Sequence, residues 1–321
     1  MSFGASPGRT RTGRARAASG TPLEAAFETD APIDLRLTLA PLRHGFADPT
    51  IRFETDGVWL ARRTPVGPAT LRLWAEPGGQ TIRAQAWGSG AEASLDVVPG
   101  LAGLLDDPEQ LVARHPLVRE LQRRFATLRL PRTGQLLPAL VPAVTGQKVT
   151  AGEALASYAA LIRRLGEPAP GPVPLLLPPT GERLASLPYF EFHPMGLERR
   201  RADLLKRLGH LETWLESLVR LTPGEARAEL QKIPGIGPWT AAEATLAAFG
   251  DPDAVSLGDA HIPDLVSWTL AVEPRGDDAR MLELLAPYAG QRGRVIRLLE
   301  ASGIKIPRFG PRFSPGHIER L

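Results

Sequence analysis

Few kinds of group can carry chemistry in this chain. Its 321 residues include no cysteine, which removes thiol nucleophiles, disulfides, cysteine-ligated zinc and iron–sulfur clusters. What remains is carboxylate, imidazole, hydroxyl and amine. The stretch "DAVSLGDAHIPDLVSW", Asp253 to Trp268, gathers several of these just before an apolar helical pattern. Asp259 precedes the pattern, and Pro263 falls within its first turn, where a missing N–H costs little. Read alone, Asp259 is a helix cap, a short acceptor for free backbone N–H groups. The position also suits catalysis, because a helix N-terminus complements a negative charge. His261, two residues on, is open to orienting a phosphate or to completing the helix start.

A second stretch, "IPGIGPWTAAEATLAAFG" from Ile233 to Gly250, breaks one helix and starts another within "PGIGP". Gly235 and Gly237 can adopt positive φ and leave backbone N–H groups without side-chain cover. The helix that follows begins with N–H groups lacking helical partners, so the turn forms an anion pocket suited to a DNA phosphate, without reading sequence. The plainer alternative is that any tight helix–helix connection uses Gly and Pro.

The elements that must hold these two stretches fall into two kinds. From about residue 30 to 90 the apolar period is two, in "IDLRLTL", "TLRLWA" and "TIRAQAW", with Asp-Gly and Gly-Gly turn signals between. This predicts an antiparallel sheet of about five strands, closed by a short helix near 91–105. After about 108 the spacing turns helical, through "EQLVARHPLVRELQRRF", "GEALASYAALIRRLG", "LERRRADLLKRLGHLETWLESLV" and on to "GRVIRLLEAS". Thr150 with Glu153, and Thr222 with Glu225, predict capping boxes. A proline-rich connector, "GEPAPGPVPLLLPPTGE", splits the helical part. The fold class is therefore α+β: an Arg- and Gly-rich disordered tail at 1–22, an antiparallel domain at 23–107, a helical bundle at 108–302 with the hairpin at 223–249, and a basic tail at 303–321.

"LQKIPGIGPWTA" followed by Asp259 about twenty residues on resembles the helix-hairpin-helix DNA glycosylase superfamily. The antiparallel domain, the "VTGQKVT" loop and "MGLERRRADLL" extend the resemblance over about residues 30–300, toward the alkylation-repair branch, the 3-methyladenine DNA glycosylase II type. The resemblance implies that Asp259 faces C1′ of an extruded nucleotide, stabilises an oxocarbenium ion and assists water. Trp239 and Glu243 would line the base pocket. Gly235, Ile236, Gly237, Thr240, Gln147, Lys148 and His261 would meet the DNA. Bifunctional members carry a Schiff-base lysine where this chain has Trp239, so a monofunctional enzyme is expected. Two residues depart from the branch: Lys148 replaces a wedge leucine, and Glu243 replaces a stacking tyrosine. These departures keep open a second reading, a DNA-binding module recognising distorted DNA with weak or lost catalysis.

The net charge of +3 argues little by itself, since Arg9, Arg11, Arg14 and Arg16 alone supply four positive charges. Local clusters at Arg123 and Arg124, Arg163 and Arg164, and Arg199 to Arg201 with Lys206 fit DNA, although each taken singly is most often a solvated face. No run of apolar residues spans a bilayer and no secretory signal is visible, so a cytoplasmic monomer acting on damaged double-stranded DNA is expected. No metal or organic cofactor is expected, with room for a monovalent cation at the hairpin.

Overall fold

The computed structural model describes residues 20–306. The Arg- and Gly-rich start and the basic segment beyond residue 306 lie outside the described residues.

Strands β1 (Leu23–Glu28), β2 (Ile51–Glu54), β3 (Gly57–Thr64), β4 (Gly67–Ala75) and β5 (Thr81–Trp87) form one antiparallel sheet in the order β1-β5-β4-β3-β2. Alternation sorts its side chains to two faces. Val58 and Leu60 pair across to Leu73 and Leu71, and these join Ile82, Ala84 and Ala86 in one apolar core. That face is covered by α1 (Leu35–Leu39), α2 (Ala91–Asp96) and α3 (Val98–Leu101). Trp59 and Trp87 stack on the opposite face at 5.3 Å, under Leu175 and Leu177 of the proline-rich connector. The connector thus packs as a second cover for the sheet.

One predicted strand is a helix. Residues 33–39 read as period two, yet Leu35–Leu39 is helical, because Asp34 accepts from the Leu37 N–H at 3.0 Å and caps the turn. Leu35 and Leu39 are buried and four apart, a spacing that satisfies either period. The fifth strand is instead β1, whose alanines gave a weak signal.

The helical part holds two cores. The chain first lays down α4 (Pro116–Arg124), then builds a large cluster from α5 (Leu136–Thr145), α6 (Ala151–Leu165), α7 (Gly181–Ser186), α8 (Tyr189–Phe192), α9 (Arg199–His210), α10 (Glu212–Ser217), α11 (Pro223–Leu230) and α12 (Pro238–Phe249). It returns to α4 with α13 (Ile262–Ala271), α14 (Asp278–Leu285) and α15 (Arg292–Ser302), which close the second core. Both expected capping boxes form, at Thr150/Glu153 and Thr222/Glu225. The stretch read as one helix from Glu109 breaks at "ARHP", where His115 caps a start at Pro116. The pattern from Leu197 likewise divides at Leu211.

Two devices fix the parts that frame the site. Glu216 of α10 accepts from the N–H groups of Leu136 and Leu137, capping α5 from outside; burial raises its pKa above the ordinary carboxylate range. A buried pair, Arg294 with Asp106, joins α15 to the segment leaving the sheet domain, with side chains only 3% and 7% exposed.

Candidate active site

The hairpin between α11 and α12 turns on Gly235, whose φ of 102° needs a glycine. Gly237 does not share that conformation. It is an ordinary extended N-cap at φ −96° and ψ −179°, so of the two glycines only Gly235 uses the positive φ open to both. What Gly237 contributes is openness, since a Cβ there would meet nothing within 4 Å. Ile236 buries its side chain in the core, so only its backbone faces the turn. The first helical bond of α12 runs from Ala241 N–H to Gly237 C=O, so the Trp239 and Thr240 amides precede any helical partner.

Across the hairpin lies the α5–α6 loop. Gln147 Nε2 donates to Gly235 C=O at 3.0 Å and to Thr240 Oγ1 at 2.8 Å, clamping loop to hairpin. Thr240 is buried, with its hydroxyl turned to Gln147. Lys148 follows at φ 56° and is exposed, an unusual backbone for a lysine, held at the loop tip beside the groove. Arg201 secures the loop's origin: its side chain is 1% exposed, and it donates to Thr145 C=O at 2.7 Å and Gly196 C=O at 3.0 Å. This corrects the reading of Arg199 to Arg201 as one basic patch. Arg200 lies on the groove wall, Arg199 pairs with Asp203, and Arg201 is a buried brace.

Asp259 sits in the loop between α12 and α13, where the two helical cores meet. Its Oδ1 accepts from the N–H groups of His261 at 2.7 Å and Ile262 at 2.9 Å, so the capping role is present. Its Oδ2 accepts from Trp239 Nε1 at 2.9 Å. Three N–H donors therefore aim at one half-buried carboxylate. Gly258 N–H is tied in turn to Asp278 of α14 at 2.9 Å. Trp239 is half-buried, with its indole N–H on Asp259 and the far edge of its ring lying over Gly146. His261 is exposed on the groove wall.

Glu243, one turn along α12, lines the same groove and accepts from Ser256 Oγ. Burial pushes its carboxyl above the ordinary range; the Ser256 bond and Arg297 pull it down, while Glu300 and Asp259 push it further up. Trp239–Asp259 and Glu243–Ser256 are two rungs between one face of α12 and the Asp259 loop. The sequence reading did not single out Ser256, Arg297 or Glu300. The helical spacing of Arg297 and Glu300 marks them only as neighbours on α15, with nothing to aim them at this loop.

The groove thus brings together Asp259, Trp239, Glu243, Gln147, Lys148, Gly235, Gly237, Thr240 and His261. Arg123, Arg124, Arg163, Arg164 and Lys206 are not on its wall. Among the described residues no group of three or more His, Asp or Glu is arranged to hold a metal. At the hairpin the carbonyls of Ile233, Pro234 and Gly235 accept from Ile236 N–H, Arg207 and Gln147. No helix of the described residues is long and apolar enough to cross a membrane.

This arrangement, a sheet domain, a hairpin and a carboxylate at the seam of two helical cores, is a fold seen before. The structure of a 3-methyladenine DNA-glycosylase from Archaeoglobus fulgidus superposes with a TM-score of 0.71 over 87% of this chain and 98% of that one, at 19% identity. An 8-oxoguanine glycosylase/lyase of Clostridium acetobutylicum, in complex with double-stranded DNA, gives 0.67 over 88% and 95%, at 14% identity. The chain has the fold of the helix-hairpin-helix DNA glycosylases. In sequence, a thymine/uracil-DNA glycosylase of Pyrobaculum aerophilum is 31% identical over 136 residues, 41% of this chain and 53% of that protein. The match therefore spans about half the length of that relative. No protein-family model matches the chain.

Proposed function

We propose that this protein is a monofunctional DNA glycosylase that removes alkylated bases from double-stranded DNA. The observation that carries the reading is Asp259, a carboxylate fixed by three N–H donors on the wall of a groove beside a phosphate-suited hairpin. With a nucleotide extruded into the groove, Asp259 would stabilise the positive charge that grows on the sugar as the N-glycosidic bond breaks, and would assist attack by water at C1′. The amides of Gly237, Trp239 and Thr240 would take a backbone phosphate. Lys148, at the tip of a clamped loop, would enter the space left by the base.

Loss of the base alone follows from Trp239. The hairpin position that would carry a Schiff-base amine holds an indole instead, and that indole is bonded to Asp259. Alkylated purines suit this machinery because a cationic base is already a good leaving group, so no strong general acid is required. The protein would act as a monomer, without metal or organic cofactor. The related thymine/uracil-DNA glycosylase makes neutral pyrimidines the competing lesion class.

The test is base release from methylated DNA, scored as free 3-methyladenine and 7-methylguanine, with Asp259→Asn alongside. Wild type is expected to release base and leave strands intact until alkali is added, and Asp259→Asn to lose release by at least ~100-fold. DNA binding with no release from methylated, uracil-containing or 8-oxoguanine DNA would leave a binding module. Spontaneous nicking with a borohydride-trapped adduct would refute monofunctional chemistry.

A further inference from the structure

Glu243 is a carboxylate in a poor place. It faces the groove one turn beyond Trp239, and Ser256 Oγ is its hydrogen-bond partner among the described residues. The charged groups that act on it are Arg297 and Glu300 of α15 and Asp259 of the neighbouring loop. Arg297 is already paired with Glu300 at 2.7 Å. Around Glu243 there are three carboxylates, Glu243, Glu300 and Asp259, against one guanidinium, a surplus of two negative charges. A half-buried carboxylate with one neutral partner is costly to keep unless something positive arrives.

We infer that Glu243 selects positively charged bases, the N3- and N7-alkylated purines, over neutral lesions such as uracil, thymine and hypoxanthine. The inference rests on the glycosylase reading above. A cationic purine brings the counter-charge that Glu243 lacks, and its N–H groups would meet the carboxylate whose Oε1 Ser256 holds. A neutral base entering the same space strips water from Glu243 and returns no charge, so selection comes from rejecting neutral bases as much as from attracting cations. Trp239 offers a ring to either class; the carboxylate is what separates them. Ser256 acts through Glu243 and is a positioning residue.

The experiment measures single-turnover release of 7-methylguanine, hypoxanthine and uracil from otherwise identical duplexes, for wild type, Glu243→Gln, Glu243→Asp and Ser256→Ala. In wild type the cationic base is expected to be released faster relative to the neutral ones, and Glu243→Gln should lower that ratio by at least about tenfold. Glu243→Asp, which keeps the charge, should restore most of the ratio. Ser256→Ala, which loosens the carboxylate without removing its charge, should lower the ratio in the same direction but by less than Glu243→Gln. Acid should mimic Glu243→Gln: a carboxyl held above its ordinary range is protonated first as pH falls, so the wild-type ratio should drop toward mildly acidic pH while that of Glu243→Gln stays flat.

A folded Glu243→Gln with an unchanged ratio overturns the inference, as does a Glu243→Asp whose ratio falls as far as that of Glu243→Gln. Should wild type release no base, the glycosylase reading fails by itself. Charge selection is then read by binding to a duplex carrying 2′-fluoro-7-methylguanine, which resists cleavage, against 2′-fluoroguanine. A preference of wild type for the methylated base that Glu243→Gln loses supports the inference, and no preference overturns it.

Discussion

Replacing Trp239 by Phe isolates one hydrogen bond at the centre of the site. The phenyl ring keeps the packing of the ring's near part but lacks Cη2, the atom that lies against Gly146, and it removes the N–H that holds Asp259 Oδ2 at 2.9 Å. Hydrogen bonds to a charged group contribute about 1.5–3 kcal/mol. The His261 and Ile262 amides still hold Oδ1, so the carboxylate stays at the wall but gains freedom to rotate about its last bond. That puts the expected loss near the lower end, about 1.5–2 kcal/mol, or roughly 10- to 30-fold in the rate of base release. The assay is single-turnover release at saturating enzyme, with anisotropy on an abasic-site duplex as the binding control. Rate should fall while affinity moves by less than about threefold. In an Asp259→Asn background the same change should cost almost nothing further, because the two residues act through one contact. A Trp239→Phe enzyme within twofold of wild type, or one that loses the same rate again in the Asp259→Asn background, refutes the idea that the indole N–H positions the carboxylate.

Three further predictions separate the parts that support the site. Gly235→Ala forces a methyl into positive φ and to 3.2 Å from Leu204 Cδ2, so stability should fall by about 1–2 kcal/mol in a thermal melt, along with affinity for DNA. Gly237→Ala has an ordinary φ and open space, so its melt should match wild type while DNA affinity alone falls several-fold, the methyl standing where a phosphate would approach. Arg294→Ala leaves Asp106 buried without its guanidinium, although the Leu130 N–H still donates to it, and should destabilise by about 3–5 kcal/mol, lowering Tm by roughly 4–8 °C. The double change Arg294→Met with Asp106→Leu should recover much of that loss, whereas an Arg294→Ala melt within 2 °C of wild type would show the pair to be dispensable.

Much of the scaffold was legible because its signals were local. Gly and Pro at the hairpin, Thr with Glu three residues on at two helix starts, and Asp-Gly before β3 each specify backbone geometry without help from distant chain. Where the local signal was ambiguous, tertiary context decided. Leu35 and Leu39 obey a helix and a strand alike, and only the Asp34 cap and the sheet face above them select the helix. Helix α5 escaped the pattern because most of its positions are buried and none is exposed, which erases amphipathic periodicity, and because Pro142 sits inside it.

The site divides along the same line. Asp259, Trp239 and the hairpin glycines stand in a short, nearly continuous stretch, so their order alone marks them. The partners that give them meaning come from elsewhere. Arg201 reads as one of three adjacent surface arginines, yet its neighbours at Thr145 and Gly196 make it an internal brace for the loop that carries Lys148. Glu243 reads in the sequence more readily as helix surface than as pocket wall, yet it lies on the groove. Its place in the groove follows from Trp239 being fixed to Asp259, because a residue one turn along the same face of α12 must then look at the same loop, where Ser256 meets it. The choice of substrate is accordingly written in a charge surplus contributed by α12, the Asp259 loop and α15 together, a quantity no single segment displays.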